Sequence, residues 1–138
     1  MKTSLFATLA ALALATPAFA EGDPAVGEKE FMKCRACHSI IAPDGTAIVK
    51  GAAVGPNLYG VVGRQVASVE DFRYGDSIAE LGASGAVWTP EEIADYITDP
   101  TKYLRAKTGD KKAKGNMAFQ LRKKQEDVVA YLQSVVTE

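Results

Sequence analysis

The chain has 138 residues, 47% of them hydrophobic and 24% charged, with 16 Lys and Arg set against 17 Asp and Glu. That length suits one domain, and a formal net charge of −1 means that an electrostatic partner must read a local patch rather than an overall excess. Two cysteines and a single histidine are too few to close a tetrahedral zinc site, and no internal repeat, low-complexity run or linker interrupts the chain.

The elements follow in chain order. Lys2 precedes an apolar run from Leu5 to Ala15, Pro17 breaks it, and Ala18-Phe19-Ala20 is an A-x-A cleavage pattern. Residues 1–20 therefore read as a secretory signal peptide, too short and wrongly flanked for a membrane anchor. No later stretch is apolar enough to span a bilayer. Residues 21–138 are expected as one domain, of a size that buries only about two-thirds of its surface.

Asp23-Pro24 opens the first helix, with Asp suited to the N-cap and Pro to the first helical position. Gly27, Phe31, Cys34 and His38 follow at spacings of four, three and four, which predicts one stripe. The stripe runs into Cys34-Arg35-Ala36-Cys37-His38. This C-x-x-C-H pattern is a haem attachment signature. Residues i and i+3 of a helical stretch share a face, so the two sulfurs can reach two vinyl groups along one porphyrin edge. His38 is then placed to take the iron from one side. A thioredoxin-like dithiol, half a zinc site and a structural disulfide are the competing readings. A dithiol site needs a strand–helix alternation that the chain lacks, and only the haem reading gives the adjacent histidine a task. Covalent haem attachment places the folded domain in the bacterial periplasm, in agreement with the leader.

A loop rich in turn residues comes next, with Pro43-Asp44-Gly45, Gly51 and Gly55-Pro56. Asn57 to Gly63 reads as a short helical turn, and a short helix is expected around Asp76 to Leu81. Thr89-Pro90-Glu91-Glu92 is a capping box with proline at the first helical position. Its helix carries Ile93, Tyr96 and Ile97 inward and stops at Asp99-Pro100. Pro100 starts a further short helix through Tyr103 and Leu104, and Gly109 to Gly115 is a polar loop leading to Asn116-Met117-Ala118-Phe119. The last helix, Gln125 to Val136, carries Val128, Tyr131, Leu132, Val135 and Val136 at helical spacing. Gly27 permits it to approach closely, and Phe31 and Tyr131 are expected to meet across the crossing.

Met117 is the second iron ligand by elimination. Met32 lies on the attachment side, and no second histidine exists. Methionine as plain core filler, or ligation by Lys112 or Lys114, are the other possibilities. Iron held by His38 and Met117 has no vacant position and changes its geometry little between oxidation states, which points to a one-electron carrier rather than an enzyme. A gas binder or peroxidase with a displaceable methionine is the alternative.

The ordered set of Cys34–His38, Gly55-Pro56-Asn57-Leu58-Tyr59-Gly60-Val61-Val62-Gly63-Arg64, Trp88, Tyr96, Asp99-Pro100, Met117-Ala118-Phe119 and Ala130-Tyr131-Leu132 resembles the class I c-type cytochromes. Within them it resembles the cytochrome c2 / cytochrome c550 group of alphaproteobacteria. The resemblance implies an all-α class I cytochrome c fold: four to five short helices around one covalently bound haem c, with the N- and C-terminal helices crossing. It implies that the Pro56 carbonyl accepts a hydrogen bond from His38. It implies that Arg64, Tyr74 and Trp88 hold the haem propionates, that Tyr96 hydrogen-bonds near the Met117 sulfur, and that Phe119 covers the exposed haem edge. The segments Ile41–Val54 and Leu104–Asn116 are longer than in the mitochondrial pattern, and Gly115 stands where the family often has a hydroxyl residue.

Charge is uneven. Residues 70–99 are acidic but for Arg73, and residues 102–124 are basic but for Asp110, so a strong dipole is expected. The resemblance gives the basic side a use: Lys33, Arg35, Lys112, Lys114, Lys123 and Lys124 would ring the haem edge. They would meet the cytochrome bc1 complex as donor and a photosynthetic reaction centre or terminal oxidase as acceptor. The molecule would act as a monomer without a membrane anchor, and export removes it from nucleic acid.

Overall fold

The computed structural model describes residues 21–136; the expected signal peptide at 1–20 lies outside the described residues. The element order is α1 (Pro24–Phe31), a 3-10 turn (Cys34–Ala36), β1 (Ile40–Ile41), β2 (Ala47–Val49), α2 (Asp76–Ala83), α3 (Pro90–Thr98), α4 (Pro100–Thr108) and α5 (Gln125–Ser134). Among the described residues no helix is long and apolar enough to cross a membrane.

Asp23 caps α1 as expected, its carboxylate accepting from the amides of Ala25 and Val26. The helix buries Gly27 and Phe31 against α5. A Cβ on Gly27 would lie 1.9 Å from the Asp127 carbonyl oxygen and 2.8 Å from Tyr131 Cβ, so the two backbones meet here. Phe31 and Tyr131 pack beside the contact with ring centroids 5.5 Å apart. The crossing is tied at its end, where the Asp23 amide donates to Asp127 Oδ1 at 2.8 Å.

The stripe from Gly27 to His38 is not one helix. α1 stops at Phe31 and the motif occupies a separate 3-10 turn, in which residues three apart eclipse one another. Cys34 and Cys37 still share a face: the amides of Cys37 and His38 both return to the Cys34 carbonyl. Asn57 to Gly63 is likewise no helix. It forms two successive turns, closed by Val61 to Leu58 and Arg64 to Val61, with Gly60 and Gly63 at φ +66° and +85° as third residues. Positive φ at that position suits glycine. The lengthened loop after His38 holds a small antiparallel ribbon, β1–β2, whose register shifts between Ile40 and Ile41, leaving Ile48 of β2 without a partner in β1. α5 ends at Ser134, two residues before the expected end, and Val136 is exposed.

Thr89 caps α3 by accepting from the Glu92 amide, but the capping box is only half formed. The Glu92 carboxylate turns away to α4, where it accepts from the Tyr103 hydroxyl and from Lys107 Nζ. Asp99 ends α3 and caps α4 through the Lys102 amide, and Gly109 closes α4 at φ +73°. The segment 63–66 runs antiparallel to 86–88, through Gly63 to Trp88, Trp88 to Arg64 and Val66 to Ala86. Phe31, Ile40, Val66, Leu104, Val128 and Val129 are fully buried in the core.

A covalent haem site

The loop after the ribbon is wrapped onto the attachment motif by backbone contacts. Gly55 N donates to the Cys37 carbonyl at 2.7 Å, Ala52 N to Arg35 and Leu58 N to Ser39. The approach requires glycine. A Cβ on Gly51 would sit 1.9 Å from the His38 carbonyl oxygen, and one on Gly55 would sit 2.3 Å from His38 Cε1. Neither residue has a positive φ, so both are needed for closeness rather than as the turn formers that the sequence suggested. Asn57 then locks the loop to the ribbon: its side chain accepts from Ile41 N and donates to Ile41 O, at 2.9 and 2.8 Å. The sequence places Asn57 only inside a motif and does not reveal this clamp.

His38 Nδ1 lies 2.8 Å from the Pro56 carbonyl. A carbonyl can only accept, so Nδ1 donates and Nε2 keeps its lone pair. Burial lowers the pKa of the ring, against the opposing pull of that hydrogen bond, and so keeps the imidazole neutral, the form that binds metal. Neither cysteine is disulfide-bonded. Burial pushes the Cys34 thiol up to about 11, whereas Cys37 is exposed.

These groups line a cavity of about 500 Å3. All ten residues singled out from the sequence reach its wall: Cys34, Cys37 and His38, Pro56, Arg64 and Tyr74, Trp88 and Tyr96, and Met117 with Phe119. Phe119 lines the cavity and is also 41% exposed. Tyr96 and Met117 share the wall, but no hydrogen bond joins them among the described residues. The half-buried Arg64 donates to the carbonyls of Tyr59 and Asn57 and forms no ion pair with a described carboxylate. Burial lowers its pKa. A half-buried guanidinium aligned by two carbonyls beside an apolar cavity is suited to an anionic ligand group. Tyr74 stands nearby, its hydroxyl accepting from the Val69 amide at 3.2 Å. Gly115 packs on Leu104 and offers no polar side chain.

The lining therefore fits a haem: two thiols on one face of a turn, a neutral imidazole with a free lone pair, a thioether, an apolar interior and a cation for the propionates. Short helices closed around such a cavity are the arrangement of a mono-haem c-type cytochrome of class I. No family model matches the chain. It is 65% identical to the cytochrome c2 of Rhodobacter capsulatus over 137 residues, 99% of each chain. It is 59% identical to the cytochrome c-550 of Paracoccus versutus over 135 residues, 96% of this chain and 88% of that one. The crystal structure of the Rhodobacter capsulatus cytochrome c2 superposes with a TM-score of 0.83 at 64% identity, covering 84% of this chain and all of the other. The chain belongs to the cytochrome c2 / cytochrome c-550 family. It is an electron carrier with one covalent haem c.

Proposed function

We propose that the chain is a periplasmic one-electron carrier in which Cys34 and Cys37 bind the porphyrin covalently and His38 and Met117 hold the iron. Residues 1–20 direct export and are removed. The haem, when bound, supplies an iron that gains or loses one electron. The protein's part is to hold it still and dry. Pro56 fixes the His38 tautomer and raises its basicity as a ligand. Met117 contributes a soft thioether that favours the reduced metal, and the apolar wall penalises the extra charge of the oxidised one. Arg64, Tyr74 and Trp88 hold the propionates, Tyr96 orients the Met117 sulfur, and Phe119 screens the edge through which the electron passes.

The observation that carries this reading is the His38–Pro56 hydrogen bond on the wall of a cavity that Met117 also lines. Among the described residues the lining includes no second histidine and no carboxylate, the groups most often used for acid–base work, which disfavours a peroxidase. Met117→Ala tests the assignment. The variant should lose the sulfur-to-iron charge-transfer band, admit carbon monoxide when reduced and show a lower midpoint potential. An unchanged potential overturns methionine ligation. The donor is the cytochrome bc1 complex and the acceptor a photosynthetic reaction centre or terminal oxidase, met through the basic face.

A further inference from the structure

Three aromatic rings form a continuous path outward from the cavity. Trp88 and Tyr96 line the wall, and Tyr103 lies behind them, outside the cavity. Ring centroids are 5.0 Å apart for Trp88–Tyr96, 5.9 Å for Trp88–Tyr103 and 5.4 Å for Tyr96–Tyr103. All three separations fall in the range of packed aromatic pairs, close enough for an electron to hop from ring to ring. The outer end differs chemically from the inner end. The Tyr103 hydroxyl donates to Glu92 Oε2, while Lys107 Nζ donates to Glu92 Oε1 at 2.5 Å and stands 5.4 Å from the centre of the Tyr103 ring. Glu92 and Lys107 reach solvent, with side chains 28% and 38% exposed. Tyr96 has no such proton acceptor among the described residues.

We propose that Trp88, Tyr96 and Tyr103 form an escape path for oxidising equivalents, ending in proton-coupled oxidation of Tyr103 with Glu92 as the base. The rings recur for packing reasons in any core, but packing does not call for a carboxylate at one phenol only. An oxidised phenol is strongly acidic and must shed its proton. At Tyr103 a carboxylate already holds that proton in a hydrogen bond, and Lys107 over the ring disfavours a cationic radical that keeps it. The hole therefore settles at Tyr103 rather than at the cavity wall.

The balance is simple. An oxidant of the organic peroxyl-radical class takes one electron at the cavity and, with a solvent proton, becomes a hydroperoxide. Tyr103 loses that electron, its O–H bond breaks, and the proton passes to Glu92. A surface reductant of the ascorbate class returns one electron, and the proton moves back to the phenolate oxygen. No other bond changes. The path does not depend on which residue is the second iron ligand.

The test uses ferric holoprotein, a flash-generated ruthenium(III) polypyridyl oxidant and freeze-quenched electron paramagnetic resonance. The wild type should give a neutral tyrosyl radical whose formation slows in deuterated water. Tyr103→Phe, which keeps the ring, should lose most of that signal and bleach its haem several-fold faster under repeated flashes. Glu92→Gln should slow radical formation several-fold, and Glu92→Asp should recover part of the rate. Glu92 is surface-accessible, so these two variants carry the test if the phenylalanine variant folds poorly. Equal radical yield in Tyr103→Phe, or an unchanged rate in Glu92→Gln, overturns the proposal.

Discussion

A single missing side chain decides how the His38 imidazole is held. His38 is held by the Pro56 carbonyl through Nδ1, and the backbone of the preceding residue, Gly55, packs against the same ring. In Gly55→Ala the new methyl would lie 2.3 Å from Cε1 and 2.6 Å from Nδ1, well inside contact distance, so ring or loop must shift. Overpacking of this kind costs about 1–3 kcal/mol. The variant should melt earlier than the wild type, and nuclear magnetic resonance should show a weakened His38 Nδ1–H hydrogen bond. An unshifted proton resonance would refute that packing. The chemistry-bearing residues were legible in the sequence because haem attachment imposes an order and spacing: Cys34, Cys37 and His38 form the C-x-x-C-H pattern and line one cavity. Gly55 and Asn57 were visible only as turn and motif residues. Their tasks, close approach and clamping of Ile41, depend on a loop path that no local pattern encodes.

Two joints between elements govern stability. The first is the α1–α5 crossing, where Gly27→Ala would drive a methyl to 1.9 Å from the Asp127 carbonyl oxygen. Backbone cannot yield as a side-chain tip can, so a loss on the order of 3 kcal/mol is expected, read as a lower denaturation midpoint of the holoprotein. A loss under about 0.5 kcal/mol, the scale of a neutral surface change, would show that the helices can part. The second joint is Glu92, which links α3 to Tyr103 and Lys107 of α4. Burial raises the pKa of this carboxyl, but the hydrogen bonds from Lys107 and Tyr103 outweigh it and hold it below the ordinary value of 4.5. A carboxylate with a depressed pKa contributes stability above that ordinary value and loses it as pH falls through the folded-state pKa. Glu92→Gln should thus be less stable than the wild type at neutral pH, by no more than about 1 kcal/mol for a partly exposed group. The gap should close in acid, as thermal melts at the two pH values would show. The helices themselves were legible from caps and periodicity: Asp23 and Thr89 cap as their sequence context predicts, whereas Asp99, read only as the stop of α3, also caps α4. The ribbon was not, because strands of two and three residues are too short for an alternating pattern. The break of the Gly27–His38 stripe was missed because a 3-10 turn preserves the same facing positions.

Across the whole molecule, the charge asymmetry read from the sequence is partly cancelled in space. Lys33 pairs with Glu30 at 2.5 Å, Lys124 approaches the same carboxylate at 3.9 Å, and Lys107 is taken up by Glu92. Of the expected basic face, Arg35, Lys112, Lys114 and Lys123 form no ion pair with a described carboxylate. Lys112 and Lys114 belong to the loop that leads directly into Asn116 and Met117 on the cavity wall. Charges without a local partner project their field furthest, so steering toward an acidic redox complex should rest on these residues more than on Lys33 or Lys124. Reversing both, as Lys112→Glu with Lys114→Glu, should slow the second-order reaction with a cytochrome bc1 preparation at low salt. It should leave the midpoint potential and the melting temperature nearly unchanged. The two rates should converge as salt rises and the screening length falls below about 10 Å, because the substitution acts on encounter and not on the electron step. A rate deficit that persists at high salt would instead mean that the loop had moved and carried Met117 with it, and equal rates at all salt concentrations would place the docking face elsewhere.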